Sequence, residues 1–527
     1  MNRLSTPSPT NVSSPRLYLW PWVYLIAFVY FALHMATATR YGYFRDALYY
    51  LACSEHLAFG YVDLPPFFPL IAWIARHTLG TSLPALIFWP ALVGAARIIL
   101  VAAFARELGA KRFGAALAAA LAATPAVWWV IDHQFAMNAF EPLFWTGCAY
   151  VLLRMINTQN PRLWLAFGVI AGLGLENKYS IVFFAFALLL GLLLTPLRRL
   201  LFTPWLFAGG AVAFLIFLPN LLWNIQHHWP FFELMYNIRA TGKDIILPPA
   251  AYLVQQILMM QPFSLPFWLG GLLFLFFSPS AKPYRAFGWA FVVTIAIFLA
   301  LHGKDYYSAP VYPIVLAAGA VAAEHLLASP RLDTRSNLRA FLKPVCFAWL
   351  IIGVVLILPL VLPVLPLDAF VRYQSHLPLQ PQPTERSFIG AVLPQYYADE
   401  LPWQEQVAAV ARVYHSLTPD EQAKTAIFCD NFGQAGAIDF FGPRYGLPKA
   451  LSGHQNYFFW GPRNYPGEIV ILVGQPEDGA RKQFASVEVA ATLHIPYAYS
   501  YETRPILLCR GLQWNLLTGW ARVKHWR

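Results

Sequence analysis

Two carboxylates lie in a polar, aromatic stretch that directly follows the first long apolar run of the sequence. Asp46 stands in YFRDALYY and Asp63 in GYVDLPPF. A carboxylate beside a lipid bilayer is costly unless it has a partner or a function, and a positioned carboxylate can take a proton from a hydroxyl or an amine. Asp46 is therefore predicted to be a general base. The alternatives are a helix cap and an ion pair with Arg45.

Asp63 precedes two prolines, which restrict the backbone ahead of them. Its carboxylate is expected to position an acceptor, to hold a metal ion or to orient Asp46. A turn carboxylate that bonds its own backbone is the alternative. We predict a catalytic role for Asp63 beside Asp46.

Three cations are candidates for binding an anionic group. Lys178 and Lys304 each lie just outside an apolar run, on the side opposite to most of the basic clusters. Cations there can stabilise a phosphate leaving group, whereas snorkelling to the interface is the alternative for a single lysine. Arg97 lies inside a predicted span, where an ionised group is by default functional. It is predicted either to bind the phosphate or to pair with Glu141.

Three histidines and one glutamate are candidates for an acceptor site or a metal site. His227 and His228 precede WPFFELMYN, and His302 precedes Lys304. One of them, together with Asp63, could complete a divalent metal site. Hydrogen-bonded or solvated histidines are the alternative. Glu141 is the fourth candidate, so a divalent metal ion is the one cofactor that the sequence leaves open.

The composition predicts a mostly α, polytopic helical membrane protein. The chain has 527 residues, of which 58% are hydrophobic and only 12% are charged, about half the charged fraction of a soluble domain. A helix needs about 20 apolar residues to cross a bilayer. Eleven apolar runs are predicted as spans: 20–38, 86–105, 113–131, 139–154, 162–176, 180–197, 204–222, 263–278, 287–301, 310–327 and 344–366.

The basic residues predict the orientation of these spans. Lys and Arg cluster on one side, at 106–112, 154–162, 198–199, 282–285 and in RLDTRSNLR, with Arg3 and Arg16 before the first run. Short basic loops stay in the cytoplasm, which places the N-terminus inside and, with eleven spans, the C-terminus outside. The net charge of +11 is thus explained by topology, and no nucleic-acid partner is expected.

The sequence divides into three parts. Residues 1–19 are polar and Ser/Pro-rich and are predicted to be a disordered cytoplasmic tail, 20–366 form the membrane domain, and 367–527 form an extracytoplasmic α/β or α+β domain. In the last part, VAAVARVYHSL predicts an amphipathic helix, and TAIFCD, EIVILVG and PILLCR predict short strands. GQAGAIDFFGPRYG is not a dinucleotide-binding GxGxxG. Cys429 and Cys509 fall in this domain as unpaired buried thiols or a disulfide.

Four motifs carry a resemblance to a known family. They are Asp46, the DLPP of 63–66, the ENKY of 176–179 and the GKDYYSAP of 303–310. Together they resemble the bacterial glycosyltransferase family 39, relatives of protein O-mannosyltransferases and of the aminoarabinose transferase that acts on lipid A. The resemblance implies the GT-C fold, a polyprenyl-phosphate sugar donor, Asp46 as the catalytic acid, and Lys304 and Tyr307 as phosphate-binding residues. The chain departs from many relatives at MNAFEP, where Asn138 and Glu141 replace an Asp.

The expected function is inverting transfer of a sugar from the lipid-linked donor to an extracytoplasmic acceptor, which is a protein, lipid A or another glycan. The protein is expected in the bacterial inner membrane, in contact with its lipids. A transporter or flippase for a lipid-linked sugar is the alternative, and it would need ionisable groups facing the interior at mid-membrane. A scaffold without activity is a third possibility.

Overall fold

The computed structural model describes residues 20–329, 336–377 and 382–527. The tail predicted at 1–19 and most of the basic loop RLDTRSNLR lie outside the described residues. The first half of the chain is helical: α1 (Pro21–Thr37), α2 (Arg45–Glu55), α3 (Phe67–Thr78), α4 (Leu83–Glu107), α5 (Arg112–Ala122), α6 (Ala126–Ile131), α7 (Glu141–Thr158), α8 (Leu163–Asn177), α9 (Ile181–Leu193), α10 (Pro204–Gln226), α11 (Pro230–Thr241), α12 (Pro249–Met259), α13 (Leu265–Phe277), α14 (Arg285–Ala300), α15 (Tyr312–Leu327) and α16 (Ser336–Val361).

Every apolar run predicted from the sequence falls on a helix or, at 113–131, on the two helices α5 and α6. In the described ranges, five helices are long and apolar enough to cross a membrane: Leu83–Glu107, Pro204–Gln226, Pro279–Ala300, Asp305–Leu327 and Asn337–Val361. A sixth is α12 with the segment Pro262–Phe277, if this pair, bent by 89°, counts as one span. Other apolar helices, among them α1, α5, α8 and α9, are shorter. The count of eleven spans therefore stays a prediction.

The loops predicted to share one side of the membrane contact one another at one end of the helical bundle. Arg154 forms an ion pair with Glu107 at 3.2 Å, and the Tyr284 hydroxyl donates to Asn157 Oδ1 at 2.8 Å. The segments that carry Asp46, Asp63, Lys178 and Lys304 lie at the other end, which we call the site end. The grouping of the loops from their charges agrees with these contacts.

The C-terminal part contains a four-stranded mixed sheet and short helices. Its helices are α17 (Leu367–Ser375), α18 (Gln395–Ala398), α19 (Trp403–His415), α20 (Pro419–Lys424), α21 (Phe432–Phe441), α22 (Tyr457–Trp460) and α23 (Glu477–Arg481). Its strands are β1 (Thr425–Cys429), β2 (Ile469–Val473), β3 (Phe484–Ala491) and β4 (Ile506–Leu512), in the order β1-β2-β4-β3. β1 and β2 are parallel, and the other neighbours are antiparallel.

The predicted helix and all three predicted strands of this part are confirmed as α19, β1, β2 and β4. The sequence reasoning missed β3, an edge strand in which only one side chain is buried and no continuous apolar run occurs. It also missed α21, which lies in GQAGAIDFFG and begins with a capping box between Asn431 and Gln434. Cys429 and Cys509 are free, buried thiols.

The C-terminal part packs directly on α2, the helix that carries Asp46. Leu48 and Ala47 of α2 share a buried apolar cluster with Ile438 and Ala435 of α21. The two helices approach closely because α21 has a glycine at Gly436, where an added Cβ would lie 2.9 Å from the backbone carbon of Leu48. The C-terminal part therefore helps to position the catalytic candidate.

Replacing this contact glycine should loosen the packing of α21 on α2. We expect Gly436→Ala to lower the free energy of unfolding by about 1–3 kcal/mol, because the new methyl group meets backbone that cannot move cheaply. Thermal melting of the purified protein in detergent measures the effect. Gly210→Ala is the matched control, since a Cβ at Gly210 meets nothing within 4 Å. Equal melting temperatures for the two variants would contradict this packing.

Candidate active site

Asp46 lies in the first turn of α2, next to a buried arginine. The backbone N–H of Arg45 donates to the carbonyl oxygen of Asp399 at 3.1 Å, which fixes the start of the helix to the C-terminal part. The Arg45 side chain lies between two carboxylates, with Nε 3.7 Å from Asp46 Oδ1 and Nη2 3.5 Å from Asp399 Oδ2. The ion pair expected as an alternative for Asp46 is thus present, but it is long, and the Asp46 side chain keeps 28% exposure.

Asp63 is held by a tyrosine rather than by its own turn alone. The Tyr49 hydroxyl, from α2, donates to Asp63 Oδ1 at 2.9 Å and accepts from the backbone N–H of Asn456 at 3.3 Å. Tyr49 is one turn after Asp46 on the same helix, so its hydrogen bond ties Asp63 to the helix that carries Asp46.

Lys304 is surrounded by acidic groups from two distant segments. Its Nζ lies 2.9 Å from Glu385 Oε1 and 3.2 Å from Asp244 Oδ1, and Lys243 Nζ lies 3.9 Å from the same Glu385 oxygen. Asp244 and Glu385 form an antiparallel bridge of backbone. The pairing holds Lys304 within the protein, with 12% of its side chain exposed.

Lys178 is held by Asn138 and Glu141, the two polar residues of the MNAFEP segment. Its Nζ donates to Asn138 Oδ1 at 2.8 Å and to Glu141 Oε2 at 3.0 Å. It also lies over the Tyr307 ring, 4.6 Å from the centroid. The Tyr307 backbone N–H donates to the Lys304 carbonyl at 3.1 Å, so Tyr307 connects the two lysines. We call Lys178, Lys243 and Lys304 the lysine cluster.

Buried hydrogen bonds hold the segment that carries Lys304. Gln256 of α12 donates from Nε2 to the carbonyl of Asp305 at 3.0 Å, and its Oε1 accepts from the Ser308 hydroxyl at 2.8 Å. A second buried network joins α10 to two other segments: Asn220 donates to the carbonyl of Phe59, in the loop before α3, at 2.8 Å and accepts from the hydroxyl of Tyr179, before α9, at 2.9 Å. Satisfied buried networks of this kind restrict the site to one geometry.

The electrostatics of the two catalytic candidates differ from those of exposed carboxylates. Burial is the main cause that raises the pKa of Asp46; Arg45 opposes it, Glu385 adds to it, and Lys243 and Lys304 oppose it. Burial also raises the pKa of Asp63 to about 7, against the Tyr49 hydrogen bond and with the help of the Asp46 charge. Both acids therefore hold protons more tightly than usual, as a general base working near neutral pH requires.

The ion pairs of the lysine cluster shift the pKa values of their members in opposite directions. Burial disfavours the charge of Lys304, but Tyr306 and Glu385 outweigh burial and raise its pKa well above the ordinary value. Burial likewise disfavours the charge of Glu385, yet Lys304 and Lys243 lower its pKa to about 2. Both groups are charged at neutral pH, and each compensates the other.

The structure places Arg97 apart from the lysine cluster. Its side chain is fully buried within the bundle, pairs with Asp132 at 2.9 Å and stacks over Trp128 at 4.1 Å. The alternative pairing with Glu141 is therefore corrected, because the loop after α6 brings Asp132 to Arg97 and the end of α8 brings Lys178 to Glu141. Neither of these contacts supports a phosphate-binding role for Arg97, which stays a prediction.

The histidine candidates do not converge on the carboxylates. His227 stacks on Trp223 with ring centroids 4.1 Å apart, and both His228 and His302 are exposed, with positive φ angles of 58° and 54°. Within the residues that the structure describes, no group of three His, Cys, Asp or Glu side chains is placed to hold a metal ion.

Sequence reasoning missed three charged residues of the site: Lys243, Asp244 and Glu385. One signal was available for two of them, because the triplet Gly-Lys-Asp occurs both at 242–244 and at 303–305. Glu385 follows a Pro-rich linker far along the chain and carries no local signal.

Known proteins are similar to this chain in its fold and in the sequence of part of the candidate site. The sequence model of the dolichyl-phosphate-mannose-protein mannosyltransferase family matches residues 63–223, a range that includes Asp63 and Lys178 but not Asp46 or Lys304. A curated relative, the lipid A galacturonosyltransferase RgtD of Rhizobium johnstonii, is 30% identical over 233 residues. That match covers 41% of this chain and 47% of the relative, so the chain spans less than half of its length.

Two solved structures share the fold. ArnT from Cupriavidus metallidurans, bound to undecaprenyl phosphate, matches with a TM-score of 0.53 and 15% identity over 92% of this chain and 97% of that chain. The archaeal oligosaccharyltransferase AglB from Archaeoglobus fulgidus, in complex with an inhibitory peptide and a dolichol-phosphate, gives 0.50 and 12% over 86% and 69%. The resemblance to GT-C glycosyltransferases, predicted from four motifs, is confirmed.

The raised pKa of Asp63 predicts how its removal changes stability with pH. Because the fold favours the protonated carboxyl, wild-type stability is lost as pH rises from the ordinary pKa of 3.8 through about 7. Asp63→Asn removes this loss while its oxygen still accepts from Tyr49. The melting temperature of the variant minus that of the wild type should therefore increase between pH 5 and pH 8. A difference that is constant or falls with pH would show that the carboxyl is ionised throughout.

Proposed function

We propose that this chain is a membrane glycosyltransferase that moves a sugar from a polyprenyl-phosphate donor to an acceptor hydroxyl or amine by single-step inverting transfer. The observation that carries the proposal is a group of charges at one end of the bundle. Lys304 and Lys243 lie beside the same Glu385 oxygen, and Tyr307 contacts both Lys304 and Lys178. Asp46 is near enough for the charges of Lys243 and Lys304 to oppose the rise of its pKa. An acid that accepts a proton and cations that accept a leaving anion are the two parts that such a transfer needs.

The lysine cluster would bind the donor phosphate in exchange for its present acidic partners. Lys304 is paired with Glu385 and Asp244, so the cations are already compensated before an anion arrives. A phosphate that replaces Glu385 restores the same charge balance and adds bonds to Lys243, which lies 3.9 Å from Glu385. In this mechanism Lys178 and Lys304 stabilise the charge that develops on the phosphate oxygen as it leaves.

Asp46 would then act on the acceptor. Its carboxylate takes the proton from the acceptor hydroxyl or amine, the acceptor atom bonds to the anomeric carbon of the sugar, and the bond from that carbon to the phosphate oxygen breaks. The electron pair leaves with the polyprenyl phosphate. The Tyr49 hydrogen bond ties Asp63 to α2, the helix that carries Asp46, so Asp63 helps to orient this helix.

The relatives suggest which acceptor and which sugar donor to test first. One similar protein is named for lipid A and galacturonic acid, and two proteins of the same fold were solved with undecaprenyl phosphate or dolichol-phosphate. We take lipid A as the acceptor and a lipid-linked uronic acid as the first donor to test. The site end would then face the outside of a bacterial inner membrane, as the positive-inside pattern predicts.

Transport of a lipid-linked sugar is less well supported. A transporter needs ionisable groups along a path through the bundle. Arg97 and Asp132 are such groups, but they are paired with each other at 0% exposure and covered by Tyr30 and Trp128. Among the candidate residues, Asp46 and Lys178 keep solvent access and lie at the site end instead.

Removing the base should stop the reaction without unfolding the protein. We expect Asp46→Asn to lower kcat by about 10²- to 10⁴-fold, the usual contribution of a general base, while donor binding is unchanged. Transfer of radiolabelled sugar from the lipid-linked donor to lipid A measures turnover. Asp478→Asn, a surface carboxylate on α23, is the matched control. Wild-type turnover in Asp46→Asn would exclude this residue as the base.

The two partners of the central ion pair should affect donor binding in opposite directions. Lys304→Gln should raise the donor KM about tenfold or more, because a charge-assisted bond to phosphate is lost. Glu385→Gln should lower the donor KM, since the competing carboxylate is gone. Glu468→Gln is the control, because its pair with Lys424 is exposed. If Glu385→Gln raised the donor KM as Lys304→Gln does, Glu385 would hold the lysine in place rather than compete with phosphate.

A further inference from the structure

A cavity of about 680 Å³ lies between the helical first part of the chain and the C-terminal part. Its walls come from residues 40–43 before α2, 365–368 at the start of α17, 400–405 at the start of α19, and 495–497. Neither Asp46, Asp63 nor any member of the lysine cluster lines it. Ligand sites often occupy such junctions between parts of a fold and have this range of volumes.

One acidic side chain of this cavity is mostly buried. Glu400 has 7% of its surface exposed and lines the cavity. Its backbone is fixed, because Gly42 packs so closely that an added Cβ would lie 1.9 Å from the Glu400 carbonyl oxygen. Burial and the Asp399 charge raise its pKa. A mostly buried carboxyl at the wall of a cavity is stabilised by a ligand that forms hydrogen bonds with it.

The other lining groups indicate what kind of ligand fits. Partly exposed aromatic rings come from Tyr41 and Tyr497, and two more carboxyls come from Glu405 and from Asp368, which accepts from the Tyr497 hydroxyl. Arg40 is the one cation among the lining residues, so an anion such as phosphate or a uronate would be repelled. Carboxyl groups accept hydrogen bonds from hydroxyls, and the faces of aromatic rings pack against the carbon-bound hydrogens of a sugar ring.

We propose that this cavity binds an uncharged saccharide unit of the acceptor, with Glu400 as the buried hydrogen-bonding group. The inference rests on the proposed function and adds to it a site for the acceptor away from the transferred sugar. The cavity is adjacent to the catalytic segment along the chain: Tyr43 lines it, and Arg45, two residues later, bonds to Asp399 beside Glu400. An acceptor held here would extend toward Asp46.

A binding experiment tests the site without any sugar donor. Isothermal titration calorimetry on the purified full chain would use the dephosphorylated disaccharide backbone of lipid A with both amines N-acetylated, which lacks the long acyl chains and carries no charge. We expect the wild type to bind this saccharide, and Gln404→Trp, which places a ring from an exposed lining position into the cavity, to weaken binding about tenfold. Arg412→Trp, exposed on the same helix but not lining the cavity, should bind as the wild type does.

Glu400→Ala should weaken saccharide binding in the same way, and its melting temperature shows whether this variant is folded. If Glu400→Ala does not fold, Gln404→Trp still tests the site, because a substitution at the exposed Gln404 does not disturb the core. Failure of the wild type to bind the saccharide would overturn the inference, as would binding by Gln404→Trp equal to that of the wild type. Preferential binding of phosphatidylethanolamine vesicles, blocked by Gln404→Trp, would also overturn it by identifying a lipid headgroup site.

Kinetics then separate this inference from the proposed function. In Gln404→Trp the KM for lipid A should rise about tenfold, while the donor KM and the kcat at saturating lipid A stay at wild-type values. If the wild type transfers no sugar but binds the saccharide, the proposed function fails and the site stands. If the wild type transfers sugar and the lipid A KM is unchanged in Gln404→Trp, the site fails and the proposed function stands.

Discussion

The central constraint on this structure is the cost of keeping several charges away from water at the site end of the bundle. Lys304 and Glu385 are both mostly buried and lie 2.9 Å apart. Neither charge would be tolerated there alone, because removing an ion from water costs several kcal/mol unless a partner compensates it. The two residues are 81 positions apart, so this pair fixes the linker before α18 against the segment before α15. The positions of Asp244 and Lys243 follow from the same pair.

The second constraint is the packing of α2. Its apolar face is buried against α21, and its first N–H bonds to Asp399. Asp46 and Tyr49 therefore belong to a helix with one side in the membrane half and the other in the C-terminal part. The C-terminal part thus forms one side of the candidate site. This explains how residues more than 300 positions apart, such as Arg45 and Asp399, share an ion pair.

Much of the architecture could be predicted from the sequence because its signals are local. Apolar runs located the helices, short buried strands were recognisable by their composition, and the grouping of basic loops agrees with their contacts at one end. The number of membrane spans was harder to predict, since several apolar helices, such as α5 and α9, are shorter than a bilayer is thick. In the candidate site, Lys178, Lys304, Tyr307 and Glu141 were all singled out and do lie together. The histidines were singled out by residue type alone and lie elsewhere.

By itself the sequence determined the class of protein, the helical segments and the chemical types that the proposed transfer needs, since hydrophobicity and motif spacing are properties of neighbouring residues. Only the tertiary structure decided which charges meet. Arg97 pairs with Asp132 and not with Glu141, Lys178 takes Glu141, and Lys304 takes Glu385 from another part of the chain. Such choices depend on the close approach of distant segments, because a buried ion is stabilised only by a partner within a few ångströms.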